Sequence, residues 1–264
     1  MDIAKPTVMC FSGLDPTGGA GIQADIETLF SSGCHCAPIV TCLTVQNTQN
    51  AMSASEVSPA LIIQQARAIL EDMEIACFKI GLLTSVQTIE VLHTLLKDYP
   101  DIPVVLDPII SAGGGFEFGN QDLIDAMRTL LLPLTTVITP NTHELKLLAP
   151  MGDSLDACAS ELLDSGCQNV LLTGTHAPTP EIENRLYAVH QDVVLYNWPR
   201  LEFEYHGSGC TLASAIAGYL AHHLELREAI QRAQRFTWES LNHGFRNGFG
   251  QHLPNRSFWN QQKP

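Results

Sequence analysis

The sequence predicts an open α/β sheet, mostly parallel, with helices on both faces and a short antiparallel edge. Short apolar or β-branched runs alternate with amphipathic stretches of helical spacing along most of the chain. After Thr173 the alternation changes to short β segments joined by turns. A β-α-β-α order of this kind favours a doubly covered sheet, with a ligand crevice at the carboxyl ends of its strands.

The individual elements follow from these periodicities. The predicted parallel strands are Thr7–Ser12, Pro38–Val45, Ala76–Ile80, Val104–Leu106, Thr136–Thr139 and Val170–Thr173. The helices between and after them are Ala20–Phe30, Pro59–Asp72, Val86–Leu96, Gln121–Leu131, Glu144–Leu148 and Asp156–Leu163. The antiparallel segments are Arg185–His190, Val193–Trp198 and Leu201–Tyr205. Two helices, one from about Thr211 and one over Leu226–Leu241, close the fold, and the tail from about Asn242 is predicted to be irregular.

Composition limits the functional classes. A chain of 264 residues, 45% hydrophobic and 16% charged, is long enough to bury one full core, and no linker or repeat divides the single domain predicted over 1–264. The formal net charge of −14 disfavours a nucleic-acid partner. The eight cysteines form no C-x-x-C pair, and neither a signal peptide nor an apolar run of about 20 residues is visible. We therefore expect a cytoplasmic protein with free thiols and no membrane segment.

The segment His206–Thr211 has the features of an anion site. Gly207 and Gly209 allow a tight turn and leave room for a ligand, and a small apolar run predicted to be helical follows at once. The first turn of such a helix offers unpaired N–H groups and the positive end of the helix dipole. Cys210 stands at this position, where a developing negative charge is stabilised, as phosphoryl transfer requires.

A second glycine-rich segment joins the first strand to the first helix. Gly13 and Gly18 have the spacing of a P-loop, but Gly19 stands where that motif requires its lysine. The G-x-G-x-x-G spacing of dinucleotide-binding folds is absent as well. By itself, this segment therefore indicates only a tight strand-to-helix turn.

Several polar or glycine-rich segments follow predicted strand ends, and in an open α/β sheet those ends share one crevice. With these segments, the sequence resembles the ribokinase-like superfamily and, within it, the hydroxymethylpyrimidine/phosphomethylpyrimidine kinases of thiamine biosynthesis. The resemblance extends from about Val8 to about Leu241. The resemblance implies a three-layer α/β/α sandwich. Its most specific motifs are Asp15–Asp25, Thr44–Thr48, Ile138–Asn141 and Gly207–Leu212.

The resemblance implies that Gly13, Asp25 and Gln46 hold an aminopyrimidine, whose ring edge needs groups that accept and donate hydrogen bonds. Val45 and Leu82 would be apolar walls for the ring. Each residue also has a structural alternative. Asp25 could pair with a neighbour, Gln46 could be a satisfied amide at a strand end, and the two apolar residues could belong to the core.

On the nucleotide side, Asn141 and Glu144 match the family's N-x-x-E motif, which implies that Glu144, together with Asp107, holds Mg²⁺ near the phosphates of ATP. The alternative is a capping box at a helix start. Many relatives carry a lysine after the strand that corresponds to Val170–Thr173 and another after the strand that ends at Asp107-Pro108, and this chain has neither. We expect the hydroxyls of Thr173 and Thr175 to contact phosphate in their place, with a stronger dependence on magnesium.

The implied mechanism places the Cys210 thiol beside the substrate hydroxyl. The amides of Gly207 to Cys210, including that of Ser208, would stabilise charge on the transferred phosphoryl group. Because a helix N-terminus lowers the pKa of a thiol, we expect some thiolate near neutral pH.

The resemblance implies ATP-dependent phosphorylation of 4-amino-5-hydroxymethyl-2-methylpyrimidine and then of its monophosphate, by a homodimer. Two alternatives stay open. Pyridoxal is also a flat heteroaromatic ring with a hydroxymethyl arm, so a vitamin B6 kinase is the nearest alternative. The second is a pyrimidine-binding regulatory protein that has lost turnover.

Overall fold

The computed structural model describes residues 4–111, 115–174 and 180–260. Within them, nine strands form one sheet in the order β3-β2-β1-β4-β5-β6-β7-β8-β9. The strands are β1 Thr7–Leu14, β2 His35–Gln46, β3 Ala51–Glu56, β4 Ile75–Ile80, β5 Val104–Leu106, β6 Val137–Ile138, β7 Asn169–Leu172, β8 Glu181–Ala188 and β9 Val194–Pro199. Strands β2, β1, β4, β5, β6 and β7 run parallel, which confirms the predicted parallel centre.

Eight α-helices connect and cover these strands in the described part of the chain. They are α1 Gly21–Ser31, α2 Pro59–Leu70, α3 Val86–Lys97, α4 Gln121–Ala126, α5 Thr142–Leu148, α6 Leu155–Asp164, α7 Ser208–Ala221 and α8 Leu226–Asn242. Helix α4 continues through a π turn, Met127–Leu131, which accounts for the longer helix predicted there. Local signals start several helices: Ser85 and Ser154 accept a hydrogen bond from the N–H three residues on, and Pro59 opens α2.

Alternating side chains of the central strands build a core on each sheet face. Met9 and Phe11 of β1 face a core shared with α2 to α6, whereas Val8 and Cys10 face a core shared with α1, α7 and α8. Burial of each large apolar side chain contributes about 1.5–3 kcal/mol. The two cores and the sheet between them form the expected α/β/α sandwich. Among the described residues, no helix has the length and apolar character needed to cross a membrane.

The structure corrects the sheet edges. Strand β3 was not predicted, because its sequence AMSASE is short and mostly exposed and carries little apolar alternation. It pairs antiparallel with β2, so the sheet has antiparallel strands at both edges. The predicted strand Leu201–Tyr205 is wrong, since only Tyr205 makes a bridge, and its partner is His252 in the tail. The tail after α8 is irregular, as predicted, apart from a short 3-10 turn at Phe258–Asn260.

Candidate active site

Parallel pairing brings the carboxyl ends of β1, β4, β5, β6 and β7 to one edge of the sheet. The loop 13–20 includes the end of β1 and the turn after it, Asp107 follows β5 and Asn141 follows β6. Helix α7 begins at the same edge, since a Cβ added to Gly209 would lie 3.8 Å from Asp107 Oδ1. The segments that follow β1, β5 and β6 and the start of α7 therefore lie at one edge of the sheet, where the crevice was predicted.

Two glycines allow close backbone contacts at the loop 13–20, one with the start of α7 and one within the segment itself. Gly207 has a φ of 83° and caps α7, and a Cβ there would overlap the carbonyl of Gly19. Gly21 has a φ of 59° at the start of α1, and a Cβ there would overlap the carbonyl of Gly13. Larger residues at either position would separate the chain segments and would also be strained at these φ values.

The carboxylate of Asp15, for which no role was predicted, holds the loop in its conformation. Asp15 accepts hydrogen bonds from the N–H of Thr17 at 2.8 Å and of Ala20 at 2.9 Å, and its Oδ2 lies 2.8 Å from Nε2 of His206. Burial alone would raise the pKa of Asp15, but the hydrogen bonds from His206 and Thr17 outweigh it and hold the pKa below its ordinary value. Asp15 thus links the first glycine loop to the second.

Asp25 lies inside the fold. Its side chain is fully buried, with Oδ1 2.8 Å from Nζ of Lys79 and 2.5 Å from the Ser214 hydroxyl, and Lys79 also donates to Ser12 at 3.0 Å. The pairing alternative for Asp25 therefore describes this structure. The contact of Asp25 with a pyrimidine ring stays a prediction: in this structure the side chain is fully buried, and its Oδ2 has no hydrogen-bond partner.

Lys79 was also missed in the sequence. Burial alone would lower the pKa of Lys79, but the neighbouring Asp25 carboxylate outweighs it, and the pKa is raised. One feature of the sequence could have identified Lys79: it is a single cation within the apolar run of β4, IACFKI. Burial of an unpaired lysine at such a position would cost free energy. Its partner comes from a different element, so pairing was not visible in the sequence.

Asn141 and Glu144 form the capping-box alternative in full. The Asn141 side chain accepts from the N–H of His143 and of Glu144, each at 2.9 Å, and Glu144 accepts from the N–H of Asn141 at 2.9 Å. Glu144 is nonetheless buried near a second carboxylate: burial and the charge of Asp107 raise its pKa to about 8. The cap and the predicted metal role are compatible, and the metal role stays a prediction.

Asp107 is the least satisfied carboxylate of this edge. It is buried, its Oδ2 has no hydrogen-bond partner, and burial raises its pKa to about 6 despite the charge of Lys79. Two buried carboxylates with raised pKa values favour a cation between or beside them. Mg²⁺ takes one or two protein carboxylates and completes its shell with water and phosphate oxygens, so Asp107 and Glu144 fit that ion.

Cys210 lies in the first turn of α7, as predicted, but its ionisation is opposite to the expectation. The thiol is buried within hydrogen-bonding reach of Asp107, and burial together with the Asp107 charge raises its pKa to about 12. These effects outweigh the helix dipole, which is the physical reason for the error. The thiol is therefore neutral near pH 7, and the thiolate prediction is wrong.

The residues predicted to hold the pyrimidine divide into buried and exposed groups. Gly13 and Leu82 are buried against each other, since a Cβ on Gly13 would lie 3.1 Å from Leu82 Cδ2. Val45 is 56% exposed, and Gln46 is half-buried at the end of β2. The pairing of β2 with β3 shifts register between Val45 and Gln46. Their contacts with a ring stay predictions.

On the nucleotide side, Thr173 and Ser208 are half-buried at the strand edge and at the start of α7. The Thr173 hydroxyl donates to the carbonyl of Pro140, at 3.4 Å, so it is already engaged in holding β7 beside the Asn141 loop. Thr175 lies outside the described residues, as does much of the segment that follows the Asp-Pro strand. The predicted phosphate contacts stay predictions.

The α/β/α sandwich, with glycine-rich turns and buried carboxylates at the carboxyl ends of its strands, has the architecture of the ribokinase-like class. The chain belongs to the phosphomethylpyrimidine kinase family, because the model of that family matches residues 15–255. A hydroxymethylpyrimidine/phosphomethylpyrimidine kinase of Synechococcus elongatus is 34% identical over 94% of this chain and 96% of its own. A bifunctional thiamine biosynthesis protein of Geobacter sulfurreducens is 36% identical over 88% of this chain, which spans 48% of that protein.

Solved structures have the same fold. A Bacillus subtilis pyridoxal kinase in an ADP complex superimposes with a TM-score of 0.89, at 26% identity, covering 97% of this chain and 99% of its own. A phosphomethylpyrimidine kinase of Clostridium difficile 630 gives a TM-score of 0.77, at 28% identity, covering 90% and 100%. The predicted fold and family are thereby confirmed.

Proposed function

We propose that this protein transfers the γ-phosphoryl group of ATP to 4-amino-5-hydroxymethyl-2-methylpyrimidine and then to the resulting monophosphate. The observation that carries the proposal is the first turn of α7, which faces the incompletely satisfied carboxylate of Asp107 at the sheet edge. Such a helix start offers backbone donors to a phosphate group. Family membership and the nearly full-length Synechococcus elongatus relative support the choice of acceptor.

Magnesium belongs to this proposal. Asp107 and Glu144 would hold the ion, which would neutralise phosphate charge when bound. The amides of Gly207, Ser208 and Gly209 would stabilise the charge that the transferred group carries. Titration with Mg²⁺, followed by the fluorescence of a nucleotide analogue, tests the assignment, and Glu144→Gln should weaken the magnesium-dependent part of binding.

The neutral Cys210 thiol changes the proposed chemistry of the first step. A thiol with a pKa of about 12 does not supply thiolate near pH 7, so we assign it to holding Asp107 and the substrate hydroxyl in place. Positioning and charge stabilisation dominate loose phosphoryl transfer, which therefore needs no strong base. In the second step the nucleophile is already an anionic phosphate.

The decisive experiment incubates the purified protein with Mg-ATP and either hydroxymethylpyrimidine or pyridoxal. Mass spectrometry should show the pyrimidine monophosphate first and the diphosphate later. Production of ADP that does not depend on the added pyrimidine would exclude this acceptor. A bound pyrimidine without any ADP production would favour the regulatory alternative.

A vitamin B6 kinase is the second candidate, because the fold superimposes on the Bacillus subtilis pyridoxal kinase with a TM-score of 0.89 against 0.77 for the Clostridium difficile enzyme. The relatives chosen by sequence favour the pyrimidine. Competition between the two acceptors in one reaction measures the ratio of their kcat/KM values and decides between them.

We also propose a cytoplasmic homodimer. The cysteines of the described chain are free thiols, as a reducing compartment allows. Apolar side chains are exposed along the β2–β3 edge, with Leu43 at 48%, Val45 at 56% and Met52 at 56%, and a second copy would cover them. Light scattering should give the mass of two chains, and Met52→Glu should shift it toward one.

A further inference from the structure

The C-terminal tail, residues 243–260, touches the loops that form the crevice. His206 donates its N–H to the carbonyl of His252 at 2.9 Å, and His252 donates to Glu204 at 2.9 Å. The N–H of Gln251 donates to the carbonyl of Thr48, at the turn that follows Gln46. The tail therefore contacts the start of α7 and the turn between β2 and β3.

Arg256 carries the most buried of these tail contacts. It is 2% exposed, with Nε 2.9 Å from the Thr211 hydroxyl on α7 and Nη1 3.0 Å from Glu27 on α1. Its Nη2 donates to the carbonyl of Gly19, and its Nη1 lies 3.5 Å from the carbonyl of Gly18. One guanidinium thus joins the first glycine loop, α1 and α7.

The chemistry of arginine suits this position. The planar guanidinium has donors on three nitrogens in a fixed fork, so it reaches a hydroxyl, a carboxylate and carbonyls at once. A buried cation without such partners would be costly, and Glu27 supplies the opposite charge. Lysine, with a single ammonium, cannot make the same set of contacts.

The carbonyl of Gly19 has two roles in this arrangement. It accepts from Arg256, and it lies so close to Gly207 that a Cβ there would overlap it. The Thr211 hydroxyl, which accepts from Arg256, donates in turn to the carbonyl of Gly207 at 2.8 Å. Both routes lead from Arg256 to Gly207, at the start of the helix whose first turn lies beside Asp107.

We propose that Arg256 is a positioning residue of the phosphoryl-transfer site: it fixes the loop 13–20 against the first turn of α7 without touching substrate. This inference rests on the proposed function. Displacement of that first turn by about 1 Å would lower turnover by about a hundredfold, because transfer depends on the alignment of the reacting groups.

The test compares Arg256→Gln, Arg256→Lys and Arg256→Gly with Arg246→Gln. Arg246 is the matched control, because it is exposed and its described hydrogen bonds reach only tail carbonyls, those of Gly248 and Phe249. We expect Arg256→Gln to lower kcat by about a hundredfold with little change in the KM for ATP. Millimolar guanidinium should restore part of the kcat of Arg256→Gly, and equal sodium chloride should not. Arg246→Gln should retain wild-type kcat.

Hydrogen exchange supplies a readout that does not depend on the acceptor. In Arg256→Gln, the amides of residues 18–20 and 208–211 should exchange faster together, and in Arg246→Gln they should not. If the wild-type protein does not phosphorylate the pyrimidine, the proposed function is wrong. The exchange result still shows whether Arg256 fixes the loop 13–20 against the first turn of α7. Wild-type kcat and exchange in Arg256→Gln would overturn the inference.

If the Arg256 variants do not fold, Thr211→Val tests the inference instead. This substitution removes only one of the two routes from Arg256 to Gly207. We expect it to lower kcat by about tenfold at unchanged KM for ATP, since one of the two routes to Gly207 remains. Full kcat in both Thr211→Val and Arg256→Lys would also overturn the inference.

Discussion

Charged groups are treated differently on the two sides of the crevice. On the loop side, Asp15 is matched to His206, and Asp25 is matched to Lys79. On the carboxylate side, Asp107 and Glu144 lie buried near each other, and the described residues bring no cation into direct contact with either of them. On the first side each carboxylate is paired with a basic side chain, although Oδ2 of Asp25 makes no hydrogen bond, whereas on the second side neither carboxylate has such a partner among the described residues.

This difference separates structural charges from functional ones. A buried charge with its partner belongs to the frame, and removal of either partner destabilises the fold. Buried carboxylates with raised pKa values cost stability in the free protein, and they are typical of sites that gain their counter-charge from a ligand. Substitutions on the loop side should therefore affect mainly stability, and those on the carboxylate side mainly activity.

The largest expected effect is that of Lys79→Met. It leaves Asp25 buried without its ion-pair partner, and the free energy of unfolding should fall by about 3–5 kcal/mol, as measured by urea denaturation. Lys97→Met, at an exposed position of α3, is the control and should change little. A loss of unfolding free energy below about 1 kcal/mol in Lys79→Met would contradict the comparison, because the Lys79–Asp25 pair would then contribute little to the stability of the fold.

Asp107→Asn should give the opposite pattern. We expect kcat to fall by about a hundredfold or more, as is usual for a charged group at the reacting phosphate. The folded-state pKa of about 6 is raised, so ionised Asp107 costs stability as pH rises from about 4 through 6. Without magnesium at pH 8, the variant should therefore be at least as stable as the wild type.

Asp101→Asn, at an exposed turn, is the control for that experiment and should keep both activity and stability. Loss of stability in Asp107→Asn, measured in the same urea titration, would show that Asp107 stabilises the fold and is not reserved for a ligand.

Asp15→Asn is expected to cost about 1–3 kcal/mol at pH 7, because a buried, multiply hydrogen-bonded carboxylate is lost. Its folded-state pKa is lowered, so its contribution is present above the ordinary aspartate pKa and disappears as pH falls through the folded value. The difference between variant and wild type should shrink in acid. A constant difference down to acid pH would show that the charge of Asp15 is not what stabilises the loop.

The smallest effect concerns Cys210→Ala. The first phosphorylation should slow by about tenfold, because in the proposed arrangement the substrate hydroxyl loses a neighbouring polar group and Asp107 loses its thiol contact. The second should slow less, since its nucleophile is already ionised. Quenched-flow measurement of both products checks this, with Cys210→Ser as the variant that keeps a donor. Equal losses in the two steps would reject the role assigned to the thiol.

Much of the fold was readable from local sequence. The bounds of β1, β4 and β5, and of the amphipathic helices between them, were predicted within a few residues. The side chains of these elements that face the two cores recur with the period of a strand or a helix. Strand β3 and the segment 201–205 were not, because their pairing depends on which neighbours the sheet and the tail supply. Edge segments carry little periodic signal of their own.

Local patterns in the sequence were enough to place these groups at the strand ends, because alternation fixes where each strand stops and parallel pairing gathers those ends. The charge states and partners of the groups came from tertiary packing. Burial made Cys210 a neutral thiol, Lys79 supplied the partner of Asp25, and Arg256 reached the first glycine loop from the far end of the chain. The reason is that desolvation and long-range contact depend on the packed surroundings of a side chain, which no local pattern encodes.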